Sequence, residues 1–201
     1  HRDIKPSNIM LCTRGGEFDV AKVLDFGLGR DQVTGDGDGD GDRGHRPASG
    51  LLIGTPLYLS PEAILHPDQV SAASDLYSLG AVAYHMLTGA PPFEADTVVE
   101  LCSHHLWSAP EPLPASAAVP PALEALVLAA LAKHPTERPA SARALAHQLD
   151  VLSLPGWSES EARAWWWDNG VKVGERRARS SPSPESGLRA LEVDLVRRVT
   201  H

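Results

Sequence analysis

The chain has 201 residues, of which 42% are hydrophobic and 22% charged, and this composition is typical of one globular domain with a buried core. A formal net charge of −8 argues against general nucleic-acid binding, because no basic excess is available to neutralise phosphates. Two cysteines argue against a disulfide framework and favour a reducing, cytoplasmic location. The most apolar stretch, AAVPPALEALVLAALA, is too short and too interrupted to predict a membrane span.

The first predicted element is a β-hairpin near the start of the chain. Short apolar runs at 9–12 and 20–24 flank the pair Gly15-Gly16, which is a turn signal. Residues 31–50 follow, with many glycines and almost no apolar side chains. Such a segment cannot bury enough surface to offset its conformational entropy, so the composition predicts a mobile loop.

The repeat GDGDGDGD within this segment has an alternative interpretation as a calcium loop. Asp36, Asp38, Asp40 and Gly41 match the start of an EF-hand loop. The twelfth position, however, is Pro47, where a bidentate glutamate is required. A passive low-complexity insertion is therefore favoured over a calcium site.

Four helices are predicted in the middle of the chain. Residues 74–88 are apolar nearly all round, with Asp75 as the only formal charge, so this helix belongs in the interior. Ser74 or Asp75 can cap its start, and Gly89 ends it. The other three are a surface helix near 97–106 that ends at His104-His105, a helix that begins at the prolines of PPALEALVLAALAKH, and a helix over about 139–152.

The composition changes after Leu154. The segment GWSESEARAWWWDNG predicts a short helix whose first turn Ser158 and Glu161 close as a capping box. The three tryptophans at 165–167 cannot share one helical face, and we interpret them as part of a tail that packs on the main domain rather than as a ligand site. The basic, Ser/Pro-rich segment ERRARSSPSPESG predicts a disordered linker.

The candidate site lies at the open end of the predicted hairpin. Asp3, Lys5 and Asn8 precede the first strand, and Asp25 follows the second. A fold-back near Gly16 pairs positions whose numbers sum to about 33, which brings Asn8 and Asp25 together. A carboxylate beside an amide oxygen suits Mg²⁺. With a lysine and a second carboxylate nearby, this set predicts transfer of a phosphoryl group.

Five motifs, in order and spacing, resemble the large C-terminal lobe of the eukaryotic-like protein kinases. HRDIKPSN, DFG, GTPLYLSPE, DLYSLG and HPTERP follow one another along the chain. Lys5 after Asp-Ile is similar to the Ser/Thr rather than the tyrosine class, and the Ala/Arg/Pro-rich style is similar to bacterial members. The resemblance implies a mainly α fold with a small β-hairpin (α+β), protein-kinase-like, with the C-lobe present and the N-lobe absent.

The resemblance also implies a division of the chain. We expect the C-lobe over 1–153, with the catalytic loop at 1–8 and the activation segment at 25–62, and a tail of short helices and Ser/Pro/Arg-rich linker over 154–201. The family's glycine-rich loop and strand lysine have no counterpart in the sequence. We therefore expect a serine/threonine kinase fragment that phosphorylates protein Ser/Thr hydroxyls only with its N-lobe; the alternative is a non-catalytic docking module.

By the same resemblance, Asp3 is the catalytic base, and Lys5 steadies the transferred phosphate of ATP. Asn8 and Asp25 are implied ligands of Mg²⁺, with Mn²⁺ as a substitute, and Thr55 supports the catalytic loop. Structural roles are implied for Phe26 and Gly27 of DFG, for an ion pair between Glu62 and Arg138, and for Asp75 as an anchor of the loop. Arg2 is implied to receive a phosphorylated activation segment, with Ser49, Thr34 and Thr55 as candidate phosphorylation sites.

Overall fold

A computed structural model describes residues 1–26, 56–154 and 156–180 of the chain. These residues form one antiparallel two-stranded sheet and six α-helices, so the predicted mainly helical fold with a small hairpin is confirmed. The predicted mobile loop with its aspartate repeat, and the linker beyond residue 180, lie outside the described residues. The elements are β1 (Ile9–Arg14), β2 (Glu17–Val23), α1 (Pro61–Leu65), α2 (Ala72–Thr88), α3 (Val98–Trp107), α4 (Pro121–Ala130), α5 (Ala142–Val151) and α6 (Glu159–Ser180).

The predicted hairpin is present and turns where expected. Gly15 and Gly16 have φ values of 61° and 94°, in the left-handed region that glycine enters without steric cost. The described ranges also contain five single 3₁₀ turns, and four of them begin with proline, which is pre-organised for a first helical position. They span Pro6–Asn8, Pro56–Tyr58, Pro67–Gln69, Ala115–Ala117 and Pro135–Glu137.

The residue numbers of the hairpin pairs nearest the open end sum to 32, one less than the value at which Asn8 would lie directly opposite Asp25. Ile9 pairs with Val23, and the backbone N–H of Leu24 donates to the carbonyl of Asn8 at 2.8 Å. Asn8 therefore lies opposite Leu24, and Asp25 is the next residue along. The two-residue turn at Gly15-Gly16 pairs Arg14 with Glu17, and an irregularity between Cys12 and Arg14 then moves the pairing by one residue toward the predicted register.

Helix α2 forms the centre of the main domain, as its apolar sequence predicted. Its Tyr77 and Ala81 are completely buried. The helix ends at Gly89, which adopts φ 84°. Its start was predicted too late, because Ser71 is the N-cap and exchanges hydrogen bonds with the first turn, including one from its own N–H to Ser74 Oγ at 3.1 Å. Ser74 is thus inside the helix, where its hydroxyl completes a capping box.

Helix α3 was predicted to lie on the surface, but one of its faces is buried. His105 has no exposed surface, and its Nδ1 lies 2.9 Å from the hydroxyl of Tyr77. Burial, followed by the positive charge of Lys133 and the neighbouring His104, lowers the pKa of His105 to about 4. His105 is therefore a neutral core residue at pH 7. Two adjacent histidines are polar, and for that reason the sequence predicted an exposed position.

Helix α6 is longer than the predicted short helix. It runs for 22 residues to Ser180, through part of the segment that was predicted to be a disordered linker. The arginines and glutamate of ERRAR are good helix formers, and the first proline comes only at position 182. The predicted capping box is confirmed, since Ser158 N donates to Glu161 Oε2 at 2.8 Å and Glu161 N donates to Ser158 Oγ at 3.3 Å.

As expected for the tail, α6 packs against the main domain, on strand β2. Trp166 is partly buried in this contact, whereas Trp167 is 87% exposed, so the three tryptophans do point in different directions. Within the described ranges, no helix is long and apolar enough to cross a membrane.

We expect Gly80→Ala to destabilise the protein, although alanine normally stabilises a helix interior. A Cβ at Gly80 would lie 2.8 Å from Ala130 Cβ, so α2 and α4 would have to separate. The expected loss is about 1–3 kcal/mol in the free energy of unfolding, measured by urea denaturation. Gly170→Ala is the matched control, because its Cβ would meet nothing closer than 3.5 Å, and it should be neutral or stabilising by up to about 1 kcal/mol. Equal effects of the two variants would contradict the packing.

Candidate active site

Three predicted site residues of the loop before β1 are in direct contact. Lys5 Nζ lies 2.7 Å from Asp3 Oδ2. Asn8 Nδ2 donates to the same Oδ2 and to the backbone carbonyl of Asp3, both at 2.9 Å. The loop is tight because residues 6–8 form a 3₁₀ turn that begins with Pro6 and leaves Asn8 only 6% exposed. One carboxylate oxygen of Asp3 is thereby fixed by a cation and by an amide.

The same contacts orient the amide of Asn8. Its Nδ2 group donates two hydrogen bonds to Asp3, one to the backbone carbonyl and one to Oδ2, while its Oδ1 accepts no hydrogen bond from any described residue. Asp25 follows β2 in an exposed position with φ 59°, a left-handed conformation that aspartate tolerates better than most residues. An amide oxygen and a carboxylate at the same end of the hairpin are hard donors, so these residues fit a divalent ion such as Mg²⁺.

His1 joins the loop before β1 to the end of β2. Its Nε2 lies 2.9 Å from the carbonyl oxygen of Leu24, and its ring centroid lies 4.6 Å from that of Phe26. Phe26 is otherwise 69% exposed. The sequence interpretation assigned roles to Arg2 and Asp3 but none to His1, although its place as the first residue of HRD was the available signal.

The side chain of Asp75 holds the start of the loop before β1. Its Oδ2 accepts from the backbone nitrogen of His1 at 2.7 Å, and its Oδ1 accepts from that of Arg2 at 2.8 Å. Arg2 has φ 75°, a conformation that costs about 1 kcal/mol or more for a residue other than glycine. Two hydrogen bonds to one carboxylate stabilise that conformation, and they leave the side chain of Arg2 exposed.

Glu62 and Arg138 form a buried ion pair. Arg138 Nη1 and Nη2 donate to the two oxygens of Glu62 at 2.7 and 2.8 Å. The remaining donors of the guanidinium bind the carbonyls of Ala73, Ala132 and Lys133, at 2.8, 2.8 and 3.0 Å, so all five N–H groups are used. The guanidinium also lies 5.0 Å from the centre of the Tyr77 ring. This one side chain thus connects α1, α2 and the segment after α4.

The environment of Glu62 favours its charged form. Burial alone would raise its pKa, but hydrogen bonds from Arg138 and from Ser74 Oγ, the latter at 2.6 Å, outweigh burial and lower the pKa to about 2. Glu62 is therefore a permanent anion at neutral pH. The position next to Pro61 places this anion at the first turn of α1.

A contact between Tyr58 and α2, which was not predicted from the sequence, fixes the segment before α1. The hydroxyl of Tyr58 lies 2.8 Å from His85 Nδ1, and Ser78 Oγ donates to the backbone carbonyl of Tyr58 at 2.7 Å. Ser78 and His85 are seven residues apart, so they share a face of α2. Polar residues at that spacing in an apolar helix were the signal that could have identified this contact.

Four predicted site residues cannot be placed in this arrangement. Gly27 of DFG, Thr55, and the candidate phosphorylation sites Thr34 and Ser49 lie outside the described residues. The described part of the candidate site therefore comprises the loop before β1, the hairpin, Asp75 and the Glu62–Arg138 pair.

Comparison with known proteins agrees with these motifs. The family described as protein kinase domain matches residues 1–149. The chain is 37% identical over 192 residues to the serine/threonine-protein kinase pkn3 of Myxococcus xanthus, which covers 94% of the chain and 34% of that relative. It is 42% identical over 146 residues to PksC of Streptomyces coelicolor (72% and 24%) and 40% identical over 141 residues to PknB of Mycobacterium tuberculosis (69% and 20%). The chain thus spans about a third or less of the length of these relatives.

We expect Glu62→Gln to cost about 3 kcal/mol of unfolding free energy at pH 7, because it leaves the charge of Arg138 buried without a partner. The folded-state pKa of Glu62 lies below its ordinary value of 4.5, so its contribution is fully present above that value and disappears as the pH falls toward 2. The difference between wild type and variant should therefore shrink over this range in denaturation experiments.

Glu159→Gln is the matched control for this substitution. Glu159 pairs with Arg163 at 2.7 Å, but both side chains are about two-thirds exposed, so its loss should cost about 0.5 kcal/mol or less. A cost for Glu62→Gln no larger than that of the control would contradict the role given to the buried pair.

Proposed function

The chain belongs to the protein kinase family, as a bacterial-type serine/threonine kinase, and from this premise we propose that it transfers the γ-phosphoryl group of ATP to serine or threonine hydroxyls of proteins. The observation that carries the proposal is the contact of Asp3 with both Lys5 and Asn8. A docking module would not need a carboxylate that is fixed in this way beside a cation and a candidate metal ligand.

The contacts of Asp3 assign different tasks to its two oxygens. Oδ2 is held by Lys5 and Asn8, which leaves Oδ1 to accept the proton of an incoming hydroxyl. A base within hydrogen-bonding distance of that proton is what general-base catalysis requires. Lys5 carries its positive charge at the same point, where it would stabilise the negative charge on the transferred group.

The cofactors in this proposal are ATP and Mg²⁺, with Mn²⁺ as a substitute. Asn8 Oδ1 and the carboxylate of Asp25 would hold the ion at the open end of the hairpin. The ion would neutralise charge on the β- and γ-phosphates. The protein's own part is to keep the two oxygens in place, through the contact of Asn8 with Asp3 and the bond from Leu24 N to Asn8 O.

We further propose that residues 1–153 act as the large lobe of a two-lobed kinase and need a small lobe for activity. ATP normally lies between the lobes, and holding both reactants in register is worth roughly 7–11 kcal/mol. The base alone contributes about 10²–10⁴-fold, which is a smaller free energy. Regulation through Arg2 and a phosphorylated Ser49, Thr34 or Thr55 belongs to the same proposal, since the exposed side chain of Arg2 is available to bind a phosphate.

We expect Asp3→Asn, in the protein with the proposed small lobe present, to lower the rate of phosphate transfer by about 10²–10⁴-fold, because the amide cannot accept the proton. The measurement uses radiolabelled ATP, Mg²⁺ and a protein substrate. Asp68→Asn is the matched control, since Asp68 is an exposed carboxylate outside the site, and it should leave the rate unchanged. Undiminished transfer by Asp3→Asn would refute the role of Asp3 and favour a docking function.

We also expect residues 1–201 alone to transfer phosphate at least about 10³-fold more slowly than the same residues joined to a small lobe, because the positioning contribution is missing. The same assay applies, with circular dichroism to verify that the isolated chain is folded. Comparable rates for the two proteins would refute the requirement for a small lobe.

A further inference from the structure

We propose that helix α6 positions the metal-binding end of the hairpin by holding a β-bulge at Asp19. The contact consists of Asp19 on β2 with Trp157 just before α6 and Trp166 within it, and we call this set the Asp19 clamp. The inference rests on the proposed function for its consequence, namely the placement of Asn8 and Asp25 as metal ligands. Its structural part, control of the hairpin, can be tested separately.

The bulge is visible in the pairing of the two strands. Cys12 pairs with Val20, and Arg14 pairs with Glu17. One residue of β1 therefore lies opposite two residues of β2, Phe18 and Asp19. Asp19 has φ 58°, the left-handed conformation that often marks the residue of a bulge. Aspartate tolerates this region better than most residues but still at a small cost, which neighbouring contacts at the bulge can offset.

Both oxygens of Asp19 are occupied by the tail. Trp157 Nε1 donates to Oδ2 at 2.8 Å, and Trp166 Nε1 donates to Oδ1 at 2.5 Å. Ala162, between the two tryptophans, is only 3% exposed. The guanidinium of Arg163 lies 5.7 Å from the centre of the Phe18 ring, so both residues of the bulge contact α6. Two indole donors on one carboxylate hold the left-handed backbone at Asp19.

The bulge determines which residues meet at the open end of the hairpin. Its extra residue on β2 shifts the pairing between the bulge and the active site by one position, so that Asn8 lies opposite Leu24. Loss of the bulge would shift the pairing of the β2 residues from Val20 to Asp25 by one position. Because side chains of a strand alternate between faces, each of these residues would then lie on the opposite face relative to its β1 neighbours. A contact at one end of the hairpin thus controls the geometry at the other end.

The test compares three variants of the full-length protein. Trp157→Phe/Trp166→Phe removes both indole donors but keeps aromatic rings on α6. Asp19→Asn keeps a side chain that accepts the left-handed backbone but removes the charge and one of the two good acceptors. Trp167→Phe is the matched control, because Trp167 is 87% exposed and makes no hydrogen bond with the described residues. All three are conservative, and circular dichroism verifies their folding.

The first measurement is hydrogen exchange of the Leu24 amide, which donates to Asn8 across the hairpin. We expect exchange to accelerate by about 10-fold in the double variant, comparable to the loss of one charge-assisted hydrogen bond, and by less in Asp19→Asn. Trp167→Phe should exchange at the wild-type rate. Unchanged exchange in the double variant, or equal acceleration in Trp167→Phe, would overturn the proposal whatever the enzymatic result.

The second measurement is the Mg²⁺ concentration at half-maximal phosphate transfer. We expect it to rise by about 10-fold in the double variant, as for other changes that misplace metal ligands, with a smaller change in kcat at saturating Mg²⁺. A fall in kcat with an unchanged Mg²⁺ requirement would contradict positioning of the metal ligands. If transfer does not depend on Asp3, the proposed function fails, while the exchange of Leu24 still decides whether the Asp19 clamp controls the hairpin.

Discussion

The ion pair between Glu62 and Arg138 is the interaction on which the rest of the described site depends. Arg138 uses all five of its donors on groups from α1, α2 and the segment after α4, and its guanidinium is buried. Removal of either partner would leave a buried charge unpaired, which is far more costly than the loss of a surface pair. The pair also binds Ser74 through Glu62, and therefore fixes the first turn of α2.

The first turn of α2 connects this ion pair to the loop that carries Asp3. Asp75 follows Ser74 directly, and its carboxylate accepts hydrogen bonds from the backbone nitrogens of His1 and Arg2. The loop then continues to Asp3, which Lys5 and Asn8 hold through one oxygen. Asn8 begins the hairpin that returns to Asp25. A buried ion pair, one helix turn, one loop and one hairpin thus form a continuous series of contacts that ends at the candidate metal ligands.

Much of this arrangement was predictable from the sequence, because short-range rules control it. The Gly15-Gly16 turn, the end of α2 at Gly89 and the capping box at Ser158 each follow from local chemistry. The cluster around Asp3 lies within six residues of chain. Two of the errors arose where distant contacts decide. His105 is buried by the packing of α3, and the exact strand register depends on a bulge at Asp19 that the tail stabilises. The start of α2 was misplaced for a local reason, since Ser71 and Ser74 lie three residues apart and either can cap a helix.

The most direct test of the account is a crystal structure of the full-length protein with Mg²⁺ and an unreactive analogue of ATP. We expect the ion to be bound by Asn8 Oδ1 and by the carboxylate of Asp25 at about 2.0–2.1 Å, the distance that Mg²⁺ requires. Asp3 should remain in contact with Asn8 and Lys5, with its other oxygen directed toward the γ-phosphate. An ion bound without Asn8 or Asp25, or an Asp3 side chain turned away from Asn8, would contradict it.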